Sequence, residues 1–174
     1  MINAISLTTG TTGINGKIKI LVVGSGNGYE LVWFGKDGHD VTGLELYAPG
    51  VPYVDARTIV GSATDMPFKD KEFGLVFCTE MFEHVSEADT DLILNEINRV
   101  GEKFYITIAT KHDPPYNTHI NVQAGSYWLK KFEDMGFQIA SFQFCPKIFL
   151  RLGKAMGFGL YYDGVTLYGD CKGS

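Results

Sequence analysis

The run "IKILVVGSGNGYEL" constrains this chain more than any other stretch. Residues 18–23 are apolar and mostly branched, which suits a strand buried on both faces. A glycine-rich turn, "GSGNG", follows at 24–28, and then Leu31, Val32 and Phe34 come at helical spacing. A strand buried on both sides that turns sharply into a helix needs helices packed on each face of its sheet. Gly35 and Gly38 predict where that helix stops.

The alternation continues down the chain. Further strands are predicted at 41–46, 58–60, 75–78 and 104–109. Ser86 offers an N-cap, with Asp89 three residues on, to a helix carrying Ile93, Ile97 and Val100. Another helix opens at Ser126, buries Trp128, Leu129, Phe132 and Met135, and stops at Gly136. Two late strands are predicted near 137–144 and 160–167. The stretch "YAPGVPYVDA", with two prolines, predicts no long helix. Strands alternating with helices imply a largely parallel sheet, and such sheets bind ligands beyond the C-terminal ends of their strands. The turns after the strands are therefore the places to look for chemistry.

Bulk properties narrow the function classes. The 174 residues fit one domain, expected over 17–174 behind a loose Thr/Gly-rich leader at 1–16. A net charge of −5 argues against a broad nucleic-acid face, so no nucleic-acid partner is expected. Cys78, Cys145 and Cys171 have no paired spacing and read as reduced thiols of a cytoplasmic protein. No C-x-x-C pair or His/Cys cluster suggests zinc, and no metal site is expected. No apolar run reaches the roughly 18 residues of a membrane span, and the leader lacks the basic start of a signal peptide, so no stable membrane association is expected.

Glu45 closes the second predicted strand. A carboxylate there can accept from both hydroxyls of a ribose, while the glycine turn lets a ligand approach the backbone closely. Together they predict a nucleoside-containing ligand. The dinucleotide fingerprint is G-x-G-x-x-G, but here the glycines run G-x-G-x-G and Tyr29 takes the sixth place. That departure favours S-adenosylmethionine (SAM) over a nicotinamide dinucleotide.

The blocks "ILVVGSGNGYEL", "GKDGHDVTGLEL", "GSATDMPFKDKEFGLVFCTEMFEHV" and "WLKKFEDMGF" resemble, in order, those of class I SAM-dependent methyltransferases, nearest the type-11 branch. The likeness covers residues 17–142. It implies an α/β fold with a doubly wound, mostly parallel, seven-stranded Rossmann-like sheet whose last strand is antiparallel. It implies an enzyme that uses SAM, yields S-adenosylhomocysteine, and methylates a small-molecule or sugar-containing acceptor at oxygen or nitrogen. Carried over by motif, Gly24, Ser25 and Gly26 would line the methionine part of the cofactor. Glu45 would bind the ribose, Leu46 would pack near the adenine, and Ser62 and Ala63 would face the adenine edge. Cys78 and Thr79 would border the methionyl end. Two positions depart from the family: Ser62 stands where an Asp is common, and Gly74 where another Asp is usual.

Glu80, Glu83 and His84 follow the fourth strand. They read either as a polar wall near the transferable methyl or, more commonly, as a helix start with solvated charges. The tetrapeptide Asp113-Pro114-Pro115-Tyr116 resembles a motif of DNA amino methyltransferases. In those enzymes it directly follows strand four, whereas here it follows strand five, and the chain has no room for a target-recognition domain. The same loop holds His119, the preferred candidate for a general base because an imidazole titrates near neutrality. A histidine that only ties the loop to itself is the alternative. Residues 146–160 mix basic and apolar side chains and are expected to connect the last two strands, as a lid, a self-association surface or a weak membrane contact or, more commonly, as a partly buried connector. The family's N-terminal helical cover is missing or reduced, which is compatible with a homodimer closing the site. A non-catalytic SAM-binding protein and a nicotinamide enzyme remain as alternatives.

Overall fold

A computed structural model describes residues 16–47, 57–110, 118–149 and 161–173. Seven strands form one sheet: β1 Lys19–Val23, β2 Asp40–Glu45, β3 Arg57–Val60, β4 Phe73–Thr79, β5 Gly101–Ala109, β6 Gln138–Phe149 and β7 Tyr161–Asp170. Their order across the sheet is β3-β2-β1-β4-β5-β7-β6. The pairs from β3 through β5 are parallel, while β7 runs antiparallel between β5 and β6. The predicted mostly parallel, seven-stranded sheet with an antiparallel last strand is thus what the chain forms.

Alternation along the central strands sorts the core into two layers. Ile20 and Val22 of β1, with Leu75 and Phe77 of β4, pack against Leu31 and Phe34 of helix α1, Tyr29–Lys36. Leu21, Val23, Val76 and Cys78 face the opposite way, towards helices α2, Glu87–Val100, and α3, Gly125–Asp134. The second layer is the larger and includes Trp128 and Phe132, both fully buried. Truncating an aromatic side chain of that kind to Ala typically costs about 3–5 kcal/mol.

Helix α2 shows how local chemistry sets the boundaries. Ser86 accepts from the Asp89 backbone N–H at 3.1 Å and donates to the Asp89 carboxylate at 2.8 Å, as the sequence predicts. Thr90, Ile93, Leu94, Ile97 and Val100 form its buried stripe. The helix gives way directly to β5 at Gly101, where a Cβ would sit 2.5 Å from Val76 Cγ2.

Three predictions shift in position. Strands β4 and β5 start earlier than the sequence suggests, at Phe73 and Gly101, because pairing to a neighbour extends a strand beyond its apolar centre. Residues 146–149 belong to β6 rather than to a connector. The rest of that connector, 150–160, lies outside the described residues, as do the leader up to residue 15 and the tetrapeptide at 113–116. Among the described residues no helix is long and apolar enough to cross a membrane.

Candidate active site

Strand β1 ends in a turn built on left-handed glycines. Gly24, Gly26 and Gly28 have φ of 70°, 49° and 77°, values that cost any other residue conformational strain. The turn is tied to the end of β2. The Gly24 N–H donates to the Leu44 carbonyl at 2.9 Å, and the Gly26 N–H donates to Glu45 Oε2 at 2.7 Å. The other Glu45 oxygen accepts from the Leu46 N–H at 2.9 Å. Glu45 therefore clamps the turn while keeping lone pairs for a ligand. A Cβ on Gly26 would meet nothing within 4 Å, so the backbone there is open to an approaching molecule.

Beneath the turn Ser25 is buried, and its hydroxyl has no hydrogen-bond partner among the described residues. Its close fit depends on Gly43 of β2, where a Cβ would lie 2.9 Å from both Ser25 Oγ and Leu31 Cδ1. Around the strand ends sit three exposed apolar side chains, Leu46, Tyr47 and Val60. Ser62 and Ala63 follow β3 and are half-buried. The Ser62 hydroxyl accepts from the Thr64 N–H at 3.2 Å and shares a 2.7 Å bond with the Thr64 hydroxyl. It is engaged within its own turn. At the end of β4 Cys78 is buried, with Sγ 3.9 Å from Met81 Sδ. Burial first, then the charges of Glu83, Glu80 and Glu30, push its thiol well up, so it stays protonated as a small apolar group.

A second cluster lies just beyond β4. Glu80 takes a left-handed φ of 52°, and its backbone N–H and carboxylate are both held by Thr107 of β5, at 3.0 and 2.6 Å. A short 3-10 helix, Phe82–His84, then turns Glu83 inward. Glu83 is only 1% exposed, and its carboxyl lies against that of Glu80 and the backbone of Ala109 with no cationic donor on either oxygen among the described residues. Burial, reinforced by the charge of Glu80, pushes the Glu83 carboxyl up to about 9. Burial also raises Glu80, opposed by its bond from Thr107.

The loop before α3 is pinned to this cluster. The Asn121 N–H donates to the Glu83 carbonyl at 3.0 Å, and the Asn121 side chain donates to Thr90 Oγ1 at 3.2 Å. These bonds seat His119 edge-on to His84, with ring centroids 4.7 Å apart. One ligand-type atom from each of Glu83, His84 and His119 falls within 4.8 Å of the others.

Comparison with known proteins bears on the fold. A family model described as a methyltransferase domain matches residues 21–103. A SAM-dependent methyltransferase from Methanosarcina mazei superposes with a TM-score of 0.71 at 15% identity, covering 91% of this chain and 94% of its own. The chain therefore has the fold of the SAM-dependent methyltransferases, and residues 21–103 carry the likeness in sequence. The 1,6-didemethyltoxoflavin-N1-methyltransferase of Burkholderia thailandensis, solved with 1,6-didemethyltoxoflavin and S-adenosylhomocysteine, superposes with a TM-score of 0.68 at 17% identity, over 90% of this chain and 72% of that one. The geranyl diphosphate C-methyltransferase of Streptomyces coelicolor A3(2), solved with Mg2+, geranyl diphosphate and S-adenosyl-L-homocysteine, gives 0.66 at 14%, over 89% and 74%. No curated protein sequence matched the chain.

Within this fold the sequence-predicted residues gather at one end of the sheet. Gly24, Ser25, Gly26, Glu45, Leu46, Ser62, Ala63, Cys78 and Thr79 all stand at or just after C-terminal strand ends. Solvated charges are the wrong reading for Glu83, because the 3-10 turn directs it into the interior; they hold for His84, which is exposed. Sequence reasoning also missed the meeting of His119 with Glu83 and His84. The only local signal was the E-x-x-E-H spacing at 80–84, since His119 arrives through a distant loop.

Proposed function

We propose that this domain transfers the methyl group of SAM to a small-molecule or sugar-containing acceptor, at oxygen or nitrogen. The observation that carries the reading is the clamp between the glycine turn and Glu45, with the Gly26 N–H 2.7 Å from Glu45 Oε2. Gly24, Ser25 and Gly26 would hold the methionine part, where the free Ser25 hydroxyl and the open face of Gly26 suit a polar ligand. Glu45 would take the ribose hydroxyls, and Leu46 with Ala63 would flank the adenine. Ser62 offers a neutral oxygen in place of a carboxylate, which makes for a weaker adenine bond. Cys78 and Thr79 would border the reacting end. SAM, when bound, supplies a methyl on a positively charged sulfur that leaves as a neutral thioether.

The protein's own task is then to orient an acceptor lone pair, exclude water, and deal with the proton of a hydroxyl acceptor. Glu80, Glu83, His84 and His119 are the groups gathered for that work, at the same strand ends as the predicted cofactor residues. The similar fold of the enzyme solved with 1,6-didemethyltoxoflavin supports a small-molecule reading. The acidic balance of the chain argues against DNA, and the cysteine pattern for a cytoplasmic setting.

Calorimetry with SAM, S-adenosylhomocysteine and NADH, followed by an acceptor screen with methyl-labelled SAM, tests the proposal. SAM and its product are expected to bind, NADH is not, and duplex DNA is expected to take up no label. Binding of NADH alone would sink the reading. Binding of SAM with no transfer to any acceptor would favour a non-catalytic SAM-binding protein.

A further inference from the structure

We propose that Glu83, His84 and His119 form a binding site for one first-row divalent cation, with Glu80 beside it. Three independent features point there. The first is proximity: donor atoms of the three side chains lie within 4.8 Å of one another, the spacing of groups that share an ion. The second is the state of Glu83, 1% exposed, whose carboxyl is set against that of Glu80 and the backbone of Ala109 and meets no cationic donor among the described residues. Two buried carboxyls side by side cannot both ionise cheaply unless something positive meets them. Glu80 adds a second buried carboxyl, held from its other side by Thr107.

The third feature is the tautomer of His84. Its Nδ1 lies 3.1 Å from the Thr118 carbonyl, which can only accept. Nδ1 must therefore donate, and the lone pair of this imidazole is on Nε2. A ligand histidine that donates its other ring N–H to a backbone carbonyl is the usual support for a metal. The same carbonyl belongs to the residue before His119, so one backbone bond orients one ligand and delivers the next. Asn121 locks the other side of His119 to the Glu83 carbonyl.

Two imidazoles and one carboxylate suit Zn2+, Mn2+, Fe2+ or Co2+, whereas Ca2+ and Mg2+ prefer sets composed of oxygen. Three protein ligands leave at least one coordination position open. Resting on the methyltransferase reading, we assign that position to the acceptor, as a hydroxyl oxygen. Coordination makes such a hydroxyl more acidic, so its proton passes to water and the oxygen keeps the electron pair needed for attack. His119 then acts as a ligand rather than as a base, and the acceptor class narrows to alcohols or phenols.

The test is metal binding by the full chain after dialysis against a chelator. Co2+ is titrated with visible absorption as the readout, and Zn2+ by calorimetry, both without SAM. One Zn2+ per chain is expected. Glu83→Gln and His119→Ala should each weaken binding tenfold or more, as should His84→Asn, which alters an exposed side chain and leaves the core alone. Absence of saturable binding by the parent chain would overturn the site, and so would parent-like affinity in His84→Asn. SAM calorimetry on the same metal-free samples keeps the two proposals apart: lost SAM binding bears on the methyltransferase reading, lost Zn2+ binding on this one.

Discussion

The two ends of β4 carry the same device with opposite outcomes. Lys71 precedes the strand and Glu80 follows it, and they are the only non-glycine residues with positive φ among the described ones, at 51° and 52°. Such a conformation costs roughly 1–3 kcal/mol and persists only where surrounding structure holds it. At the N-terminal end Lys71 reaches the carbonyls of Asn98, Gly101 and Lys172 at 2.8–3.0 Å. Nearby, Arg99 grips both oxygens of Glu96 at 2.7 Å, the Asp70 carboxylate, and the carbonyls of Phe68 and Met66. Glu96 in turn accepts from the Met66 N–H at 2.6 Å. Charge at this end is matched by partners, and it holds the long β3–β4 connection in place. At the C-terminal end Glu80 is held by Thr107, and Glu83 is set against Glu80, like charge against like, with no cation on its carboxyl among the described residues. The chain uses charge as a fastener at one end of its sheet and leaves it unsatisfied at the other, where a ligand is expected.

The largest effect that could break this contrast is on stability. Arg99→Ala should remove about 2–3 kcal/mol of unfolding free energy, because hydrogen bonds to charged groups are each worth about 1.5–3 kcal/mol and water replaces part of the loss. Glu83→Gln should cost nothing or add stability in metal-free protein. Urea unfolding of both variants is the measurement, and equal losses would erase the distinction between the two ends. Next in size is Glu45→Ala, expected to weaken SAM binding roughly tenfold or more for the same energetic reason. Unchanged affinity in the folded variant, by calorimetry, would remove Glu45 from the site.

A smaller effect separates the ends by pH. Hydrogen bonds from Arg99 hold Glu96 below its ordinary value, so Glu96 adds stability that is lost as pH falls below the usual carboxylate range. Glu83 is raised from 4.5 to about 9, so its protonated form favours the folded state at low pH, and that contribution is lost as pH climbs towards 9. Metal-free protein should therefore lose stability between pH 5 and pH 9, and Glu83→Gln should flatten that slope. A slope unchanged by the substitution would place its source elsewhere. The smallest expected effect is a few-fold tightening of SAM binding in Ser62→Asp, since an ionised acceptor makes the stronger bond. The Ser62 hydroxyl is already paired with Thr64, and weaker binding in the variant would show that this turn does not face the adenine.

Much of this protein was legible in its letters. Apolar runs, the glycine turn, the Ser86 cap and the Gly136 stop are local signals, because strand burial, φ > 0 and helix capping depend on residues within a few positions of one another. Glu45 could be placed because strand β2 ends where its apolar run ends. Strand limits were less legible, since pairing with a neighbour extended β4, β5 and β6 past their apolar centres. Only the tertiary structure decided that β7 slips between β5 and β6, that Glu83 faces the interior while His84 beside it faces solvent, and that a distant loop brings His119 against both. Those outcomes rest on pairings between segments far apart in the chain, such as Asn121 to Glu83 and Glu80 to Thr107. The carboxylate that the sequence leaves looking solvated is buried by contacts that no local pattern encodes.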